Sequence, residues 1–307
     1  MQPLVSIVVP VYGVEAYIAR CARSLFAQTY PELEFLFVDD GSPDRSVAVL
    51  REVMAEFPAV APRVRILSKP NEGQSLARKT GMEAARGEYV LMVDSDDWLE
   101  TSAIDKLVSR AEETQADVVV FDFWKEYARR SKLDSEKASS IANVDLFRKR
   151  LYTYGAYGYV WNKFWRRSLC EGLFYPRYSM HEDIVFCTQA LYKAQKVVQL
   201  KEGLYHYDRT NRGSATRVKK AVRRSRSARN MMDFYYAFAG QAASPITGLE
   251  DELILRAAWI GLTQDKTLFS DYPELASLAL SFPLRGGRFV SLPAQWLMKF
   301  RLKSFCR

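Results

Sequence analysis

The feature that constrains this chain most is the regular alternation of short apolar runs with amphipathic stretches through its first third. Residues 4–10 form a β-branched run ending at Pro10, and residues 35–38 form a second apolar run ending at Asp39-Asp40-Gly41-Ser42. Both read as buried parallel strands. Between them Ile18, Ala22, Leu25 and Phe26 recur at three- and four-residue spacing, which predicts a crossover helix over 15–28, stopped before Pro31. The rhythm continues with a helix over 45–56, a strand at 64–67, a helix over 75–85 closed by Gly87, a strand at 89–93, a helix over 102–114 and a strand at 118–123. This order predicts an α/β fold: a doubly wound, Rossmann-like, mostly parallel sheet flanked by helices, with ligands at the carboxyl ends of the strands.

Beyond this, residues 129–142 turn polar and charged and read as a surface loop or linker. From Tyr152 aromatics, glycine and basic residues dominate, with no strand period until 197–200 and 204–207. The stretch after 240 reads as helical, with Leu253, Ala257 and Ile260 on one face. No repeat or low-complexity tract suggests a solenoid. With 307 residues, 48% of them hydrophobic, the chain can bury a full core. It has no run of roughly 18 apolar residues, and its first residues lack a signal peptide's basic region and cleavage site. A cytoplasmic location is therefore expected. Cys21, Cys170, Cys187 and Cys306 lack C-x-x-C spacing, which argues against a zinc site or disulfide framework. A net charge of +8 suits anionic partners without distinguishing among them.

Three carboxylates crowd into Asp94-Ser95-Asp96-Asp97 directly after an apolar strand. Such a cluster is tolerable when a cation sits among the oxygens, and hard ligands of this kind suit Mg2+ or Mn2+ shared with a diphosphate. The competing role is a helix cap. Upstream, Asp39-Asp40-Gly41-Ser42-Pro43-Asp44 offers a second acidic turn. There a carboxylate would accept a hydrogen bond from a nucleobase or ribose and Gly41 would permit close approach, while Ser42 or Asp44 would cap the next helix. The helix entered through Asn71-Glu72-Gly73 carries Arg78, either near a phosphate position or simply solvated. In Met180-His181-Glu182-Asp183 an acidic pair precedes an apolar helical run, and Asp183 is the candidate proton acceptor; the alternative is an N-cap. His181 and His206 are solitary histidines. Tyr205 to Ser214, with Arg209 and Arg212, reads either as a lid toward a departing diphosphate or as a polar loop. Seven Lys or Arg residues and no acid occupy 217–229, and residues 293–307 mix Trp296, Phe300 and Phe305 with Lys299, Arg301, Lys303 and Arg307, a pattern for an anionic membrane surface or a packed helix.

In series, the run from Val5 to Tyr12, the segment 24–28, Val38 to Ser42, Asn71-Glu72-Gly73, Ala77-Arg78 and Asp94 to Asp97 resembles the family 2 glycosyltransferases with the A-type fold. Trp161-Asn162-Lys163, Glu182-Asp183-Ile184 and 205–214 extend the resemblance toward the bacterial capsule and exopolysaccharide branch. The resemblance implies transfer from a nucleotide sugar, usually a UDP sugar, to an acceptor hydroxyl with inversion. It assigns Asp40 to the uracil, Asp94 to the ribose, Asp96 to the metal with Asp97 as substitute, and Asp183 as base. Pro10, Tyr12, Glu15, Arg78 and Ser95 join the nucleotide-sugar contacts; Trp161, Lys163, Glu182, His206, Arg209 and Arg212 are expected near acceptor or diphosphate. The expected organisation is a nucleotide-sugar half at 1–125, an acceptor half at 126–240 and a helical extension at 241–307, peripheral to the inner face of the membrane. The expected partners are a nucleotide-sugar donor and a saccharide or polyprenyl-linked saccharide acceptor, with a divalent metal, Mn2+ or Mg2+, as cofactor. Gly13 departs from the family, which commonly has Asn there.

Two other readings compete. A sugar-phosphate nucleotidyltransferase would carry a glycine-rich basic loop after the first strand, where this chain has Val11-Tyr12-Gly13-Val14-Glu15. A non-catalytic carbohydrate- or nucleic-acid-binding module would exploit the positive charge and the aromatics around Trp161 and Trp165, but acidic turns along the same sheet edge would repel phosphates. No nucleic-acid partner is therefore expected.

Overall fold

The computed structural model describes residues 2–136, 141, 143–152, 156–178, 180–211, 220–241, 244–247, 249–281, 298 and 302. The first half follows the predicted rhythm: β1 (Val5–Val11), α1 (Ile18–Phe26), β2 (Leu33–Asp39), α2 (Ser46–Glu56), β3 (Val64–Ser68), α3 (Gln74–Ala84), β4 (Tyr89–Met92), the short β5 (Trp98–Leu99) and α4 (Ala103–Thr114). β6 (Val118–Tyr127), β7 (Arg130–Asp134), α5 (Val144–Tyr152), β8 (Lys163–Arg166), α6 (Glu182–Lys193), β9 (Val197–Asp208) and α7 (Lys220–Phe238) follow. The chain then enters α8 (Glu250–Thr263), α9 (Leu268–Asp271) and α10 (Leu275–Ser281).

Among the described residues nine strands form one sheet in the order β3-β2-β1-β4-β8-β6-β9-β5, with β7 paired to β6. β3, β2, β1 and β4 are parallel, so their carboxyl ends share one edge. β8 then enters antiparallel between β4 and β6, while β6 and β9 run parallel. Because side chains alternate across a strand, Val5, Ile7 and Val9 pack with α1, α2 and α4 on one face, while Val8, Leu36 and Met92 pack with α3, α5 and α6 on the other. The continuous apolar strands predicted from sequence are thus covered on both sides, as a buried parallel sheet requires. A third cluster joins α7 to α8, α9 and α10.

Two expectations are corrected. Residues 130–134 are not loop but the edge strand β7, pairing Phe123 with Asp134 through Tyr127 with Arg130. Its exposed, charged side chains are the composition that keeps an edge from recruiting further strands. The two runs at 197–200 and 204–207 are a single strand, β9, whose pairing with β6 slips between Phe121 and Phe123. There Gly203 lies under the Trp124 indole, where an added Cβ would meet Nε1 at 2.5 Å.

Candidate functional site

The carboxyl ends of β1, β2 and β4 open into a cleft of about 1350 Å³, closed on the far side by residues 156–161 and the start of α6. On the β1 side, Pro10 and the half-exposed Tyr12 line it. Gly13 has φ +64°, the left-handed region that Gly and Asn populate most readily, so the departure noted from sequence keeps the backbone that Asn would supply. After β2, buried Asp40 lines the cleft while its carboxylate accepts from the Glu72 amide (3.0 Å), the Gly73 amide (2.7 Å) and Lys69 Nζ (3.3 Å). It thereby pins the 71–73 turn against the sheet. Gly73 sits at φ +94° immediately before α3, a conformation closed to most side chains. Glu15, expected at the nucleotide sugar, instead accepts from the Arg45 amide (3.0 Å) at the start of α2. It does not line the cleft.

The centre is built on Arg78. One turn into α3 its guanidinium is buried and pairs with Asp94 (2.7 Å), Asp183 (2.5 Å) and Glu182 (3.3 Å). Residues far apart in sequence meet on one cation, and a solvated Arg78 is excluded. Burial, then the neighbouring Asp183, pushes the Glu182 carboxyl up to about 8, and burial raises Asp183 as well. His181, just before α6, holds φ +60°, an uncommon backbone for a non-glycine residue. Such strain persists where the surroundings enforce it, and here it turns Glu182 and Asp183 into the cleft. His181 Nδ1 lies 2.5 Å from Ser227 Oγ on α7.

The two candidates for metal ligation separate. Asp97 is fully buried and does not line the cleft. Its oxygens accept from the Tyr205 hydroxyl (2.6 Å) and the Asp208 amide (2.7 Å), tying the end of β4 to β9. Expected as the substitute ligand, Asp97 stands apart from the cleft that Asp96 lines, and burial, with the charges of Asp96 and Asp94, raises its carboxyl well above the usual range. Asp96 faces the cleft with Asp94 and Ser95, and accepts from Asn211 Nδ2 at 2.8 Å. Burial and then the charge of Asp94 raise Asp96 to about 6. No group of three or more His, Cys, Asp or Glu side chains placed to hold a cation occurs among the described residues. Mg2+ and Mn2+ sites commonly take one or two carboxylates and complete their shell with phosphate oxygens and water, and Asp96 beside Asp94 fits that pattern.

The acceptor-side candidates divide similarly. Trp161 lines the cleft, nearly buried, and stacks between Tyr159 (4.6 Å) and Tyr205 (4.4 Å). Arg209 lines it too, donating to the Tyr207 hydroxyl at 3.0 Å. Lys163 does not: it is fully buried, and its ammonium donates to the Tyr157 and Tyr159 carbonyls and to Asn162 Oδ1 at 2.7–2.8 Å. His206 bonds Glu126 and Glu100 and stacks on Trp98, away from the cleft. Arg212 lies outside the described residues. Residues that sequence reading left out include Tyr157 and Tyr159, while Tyr207, Asp208 and Asn211 were read only as part of the 205–214 segment; all line the cleft. The period-two aromatics Tyr157-x-Tyr159-x-Trp161 and Tyr205-x-Tyr207 were the available signal. In the basic run, Arg229 is paired with Asp265 (2.8 Å) and Asp271 (2.6 Å), leaving exposed Arg224 and Arg226 of α7 as its described outward charges. Cys21, Cys170 and Cys187 are free and buried. No helix among the described residues is long and apolar enough to cross a membrane.

Comparison with known proteins agrees with this architecture. The uncharacterized glycosyltransferase EpsJ of Bacillus subtilis (strain 168) is 35% identical over 226 residues, 71% of this chain and 64% of that protein. The putative glycosyltransferase EpsH of the same strain is 33% identical over 213 residues, 67% and 60% of the two chains. The matches thus span less than two thirds of either relative. Among solved structures, S. aureus TarS 1-349 in complex with UDP has a TM-score of 0.63 at 17% identity, covering 97% of this chain and 88% of that one. The mannosyltransferase PcManGT of Pyrobaculum calidifontis, in complex with GDP-Man and Mn2+, has a TM-score of 0.57 at 17% identity, covering 100% and 81%. These likenesses show the fold, the A-type glycosyltransferase arrangement with a helical C-terminal region. The family described as glycosyl transferase family 2 matches residues 6–173, and the chain belongs to that family.

Proposed function

We propose that this chain transfers a sugar from a nucleotide sugar, with a UDP sugar as the first donor to test, to an acceptor hydroxyl of a lipid-linked or growing polysaccharide, inverting the anomeric centre. The observation that carries the reading is the convergence of Asp40, Asp94, Asp96, Arg78 and Asp183 on one cleft at the carboxyl ends of β1, β2 and β4. Ligands of open α/β sheets bind at that edge. UDP in TarS and GDP-Man with Mn2+ in PcManGT support a nucleotide-sugar donor and a divalent cation in this fold.

In this reading Asp40 and the turn it pins receive the base, Tyr12 covers it, and Asp94 receives the ribose. Asp96 holds the cation, which supplies charge stabilisation as the diphosphate departs. Asp183 takes the proton of the attacking hydroxyl, a role typically contributing about 10²- to 10⁴-fold in rate. Arg78 holds Asp94 and Asp183 in fixed relation, joining the donor floor to the base. Exposed Arg224 and Arg226 on α7 lend a surface for peripheral contact with anionic lipid, where a polyprenyl-linked acceptor would reside; the aromatic basic stretch 293–307 lies almost wholly outside the described residues. The divisions at 125 and 240 serve as donor and acceptor halves of this one cleft, with the last helices as an extension.

The test is a panel of UDP-, GDP- and TDP-sugars with Mn2+, reading nucleoside diphosphate release from the native chain and Asp96→Ala. Release from one donor, lost in the variant, supports the reading. Silence across the panel with a lipid-linked acceptor present returns the protein to the binding-module alternative.

A further inference from the structure

The far wall of the cleft is built from an unusual use of side chains. Tyr157, Tyr159 and Trp161 alternate along the chain and stack as a ladder, with ring centres 5.4 and 4.6 Å apart and planes within 12°, and the ladder continues onto Tyr205. Beneath it the Lys163 ammonium, fully buried, donates to the carbonyls of Tyr157 and Tyr159. Among the described residues no carboxylate forms an ion pair with it, and an ammonium so withdrawn from water is costly unless hydrogen bonds replace its hydration, so the residues it holds are held in a defined path. From the other side Glu136 accepts the Tyr157 amide at 2.7 Å, and Asp134 at the end of β7 pairs with Lys125, whose ammonium also sits 5.2 Å from the Tyr157 ring centre. The β6–β7 hairpin, polar on its exposed face, thus ends at the same wall.

The ladder meets the donor side at Tyr205, whose hydroxyl accepts from the Asp94 amide at 3.1 Å. It places the partly buried Tyr157 and Tyr159 on the cleft that Asp183 also lines. Aromatic edges bearing hydroxyls, flanked by the carboxylates of Asp134 and Glu136, match a sugar ring, which presents C–H faces and outward hydroxyl donors. Asp134 is offset by Lys125, but the cleft as a whole carries more carboxylates than cations, so a neutral sugar residue is favoured over an anionic one.

We infer that the 156–161 wall and residues Asp134 to Glu136 at the end of β7 form the acceptor subsite, which takes a neutral sugar residue, with Tyr159 as the residue that positions the attacking hydroxyl toward Asp183. Lys163 acts through the backbone as a positioning residue. This inference rests on the transferase reading above.

The experiment uses the donor found by the panel, with free glucose and free N-acetylglucosamine as surrogate acceptors at high concentration, and compares the native chain with Tyr159→Phe and Tyr157→Phe. Each variant keeps its ring and therefore its stacking. The expected result is that at least one sugar accelerates nucleotide release over hydrolysis by the native chain. Tyr159→Phe should then raise the acceptor KM about three- to tenfold more than the donor KM, the size of one lost hydrogen bond, with a smaller split for Tyr157→Phe. A native chain that hydrolyses donor but is accelerated by neither sugar overturns the inference and leaves the transferase reading standing. So does a Tyr159→Phe chain whose two KM values change equally. A native chain that neither binds nor hydrolyses any donor overturns the transferase reading itself.

Discussion

At the scale of single residues, the decisive arrangement is three carboxylates around one guanidinium. Asp94, Glu182 and Asp183 share Arg78, so one negative charge exceeds what the cation compensates even when a single carboxylate is protonated. Glu182 carries the strain: burial and Asp183 push it up to about 8. The folded chain therefore keeps this proton where the unfolded chain, with an ordinary glutamate near 4.5, has released it. Stability from this group is complete below pH 4.5 and is lost as pH rises toward 8. Glu182→Gln should raise Tm relative to the native chain at pH 8.5 and leave it nearly unchanged at pH 4.5, as measured by thermal unfolding across that range. An unchanged pH slope would contradict the charge count. The acidic motifs themselves were legible in sequence, because carboxylates at strand ends have few structural explanations. Their pairing was not, since Arg78 and Asp183 are brought together only by α3 and α6 packing on the same face of the sheet.

At the scale of elements, β1, β2 and β4 were readable because each strand is buried on both faces and so consists almost wholly of apolar residues. β8 was not, because its four residues include a lysine and an arginine, and Lys163 is accommodated by carbonyls that no local pattern announces. β7 was hidden for the opposite reason: an exposed edge strand has the composition of a loop. The helices that cover the sheet are fitted as tightly as the strands. An added Cβ at Gly81 in α3 would meet Val8 Cγ1 at 2.4 Å. Gly81→Ala should cost about 1–3 kcal/mol from overpacking, outweighing the roughly 1 kcal/mol of helix propensity that alanine gains. The cost should shrink in a Val8→Ala background, read as a coupling in denaturant-unfolding double-mutant cycles. Equal cost in both backgrounds would show that the helix moves instead.

At the scale of the whole molecule, charge is divided. The chain carries a net +8, yet the cleft sets Asp40, Asp94, Asp96, Asp134, Glu136, Glu182, Asp183 and Asp208 against Arg78 and Arg209. The surplus positive charge is therefore elsewhere, and Arg224 and Arg226 on α7 are part of it. Sedimentation with vesicles containing anionic lipid should show binding that falls as ionic strength rises, and no binding to neutral vesicles. Binding independent of lipid charge would remove the electrostatic part of the proposed membrane contact. An acidic cleft also makes a strong demand on its ligand, because a diphosphate entering it needs added positive charge. The most direct measurement is calorimetric titration of UDP into the native chain and Asp96→Ala, each with Mn2+ and with chelator. Binding that depends on Mn2+ in the native chain and weakens at least tenfold in Asp96→Ala is the predicted result. Affinity that is the same in all four titrations, or absent in all four for UDP and GDP alike, would contradict the account.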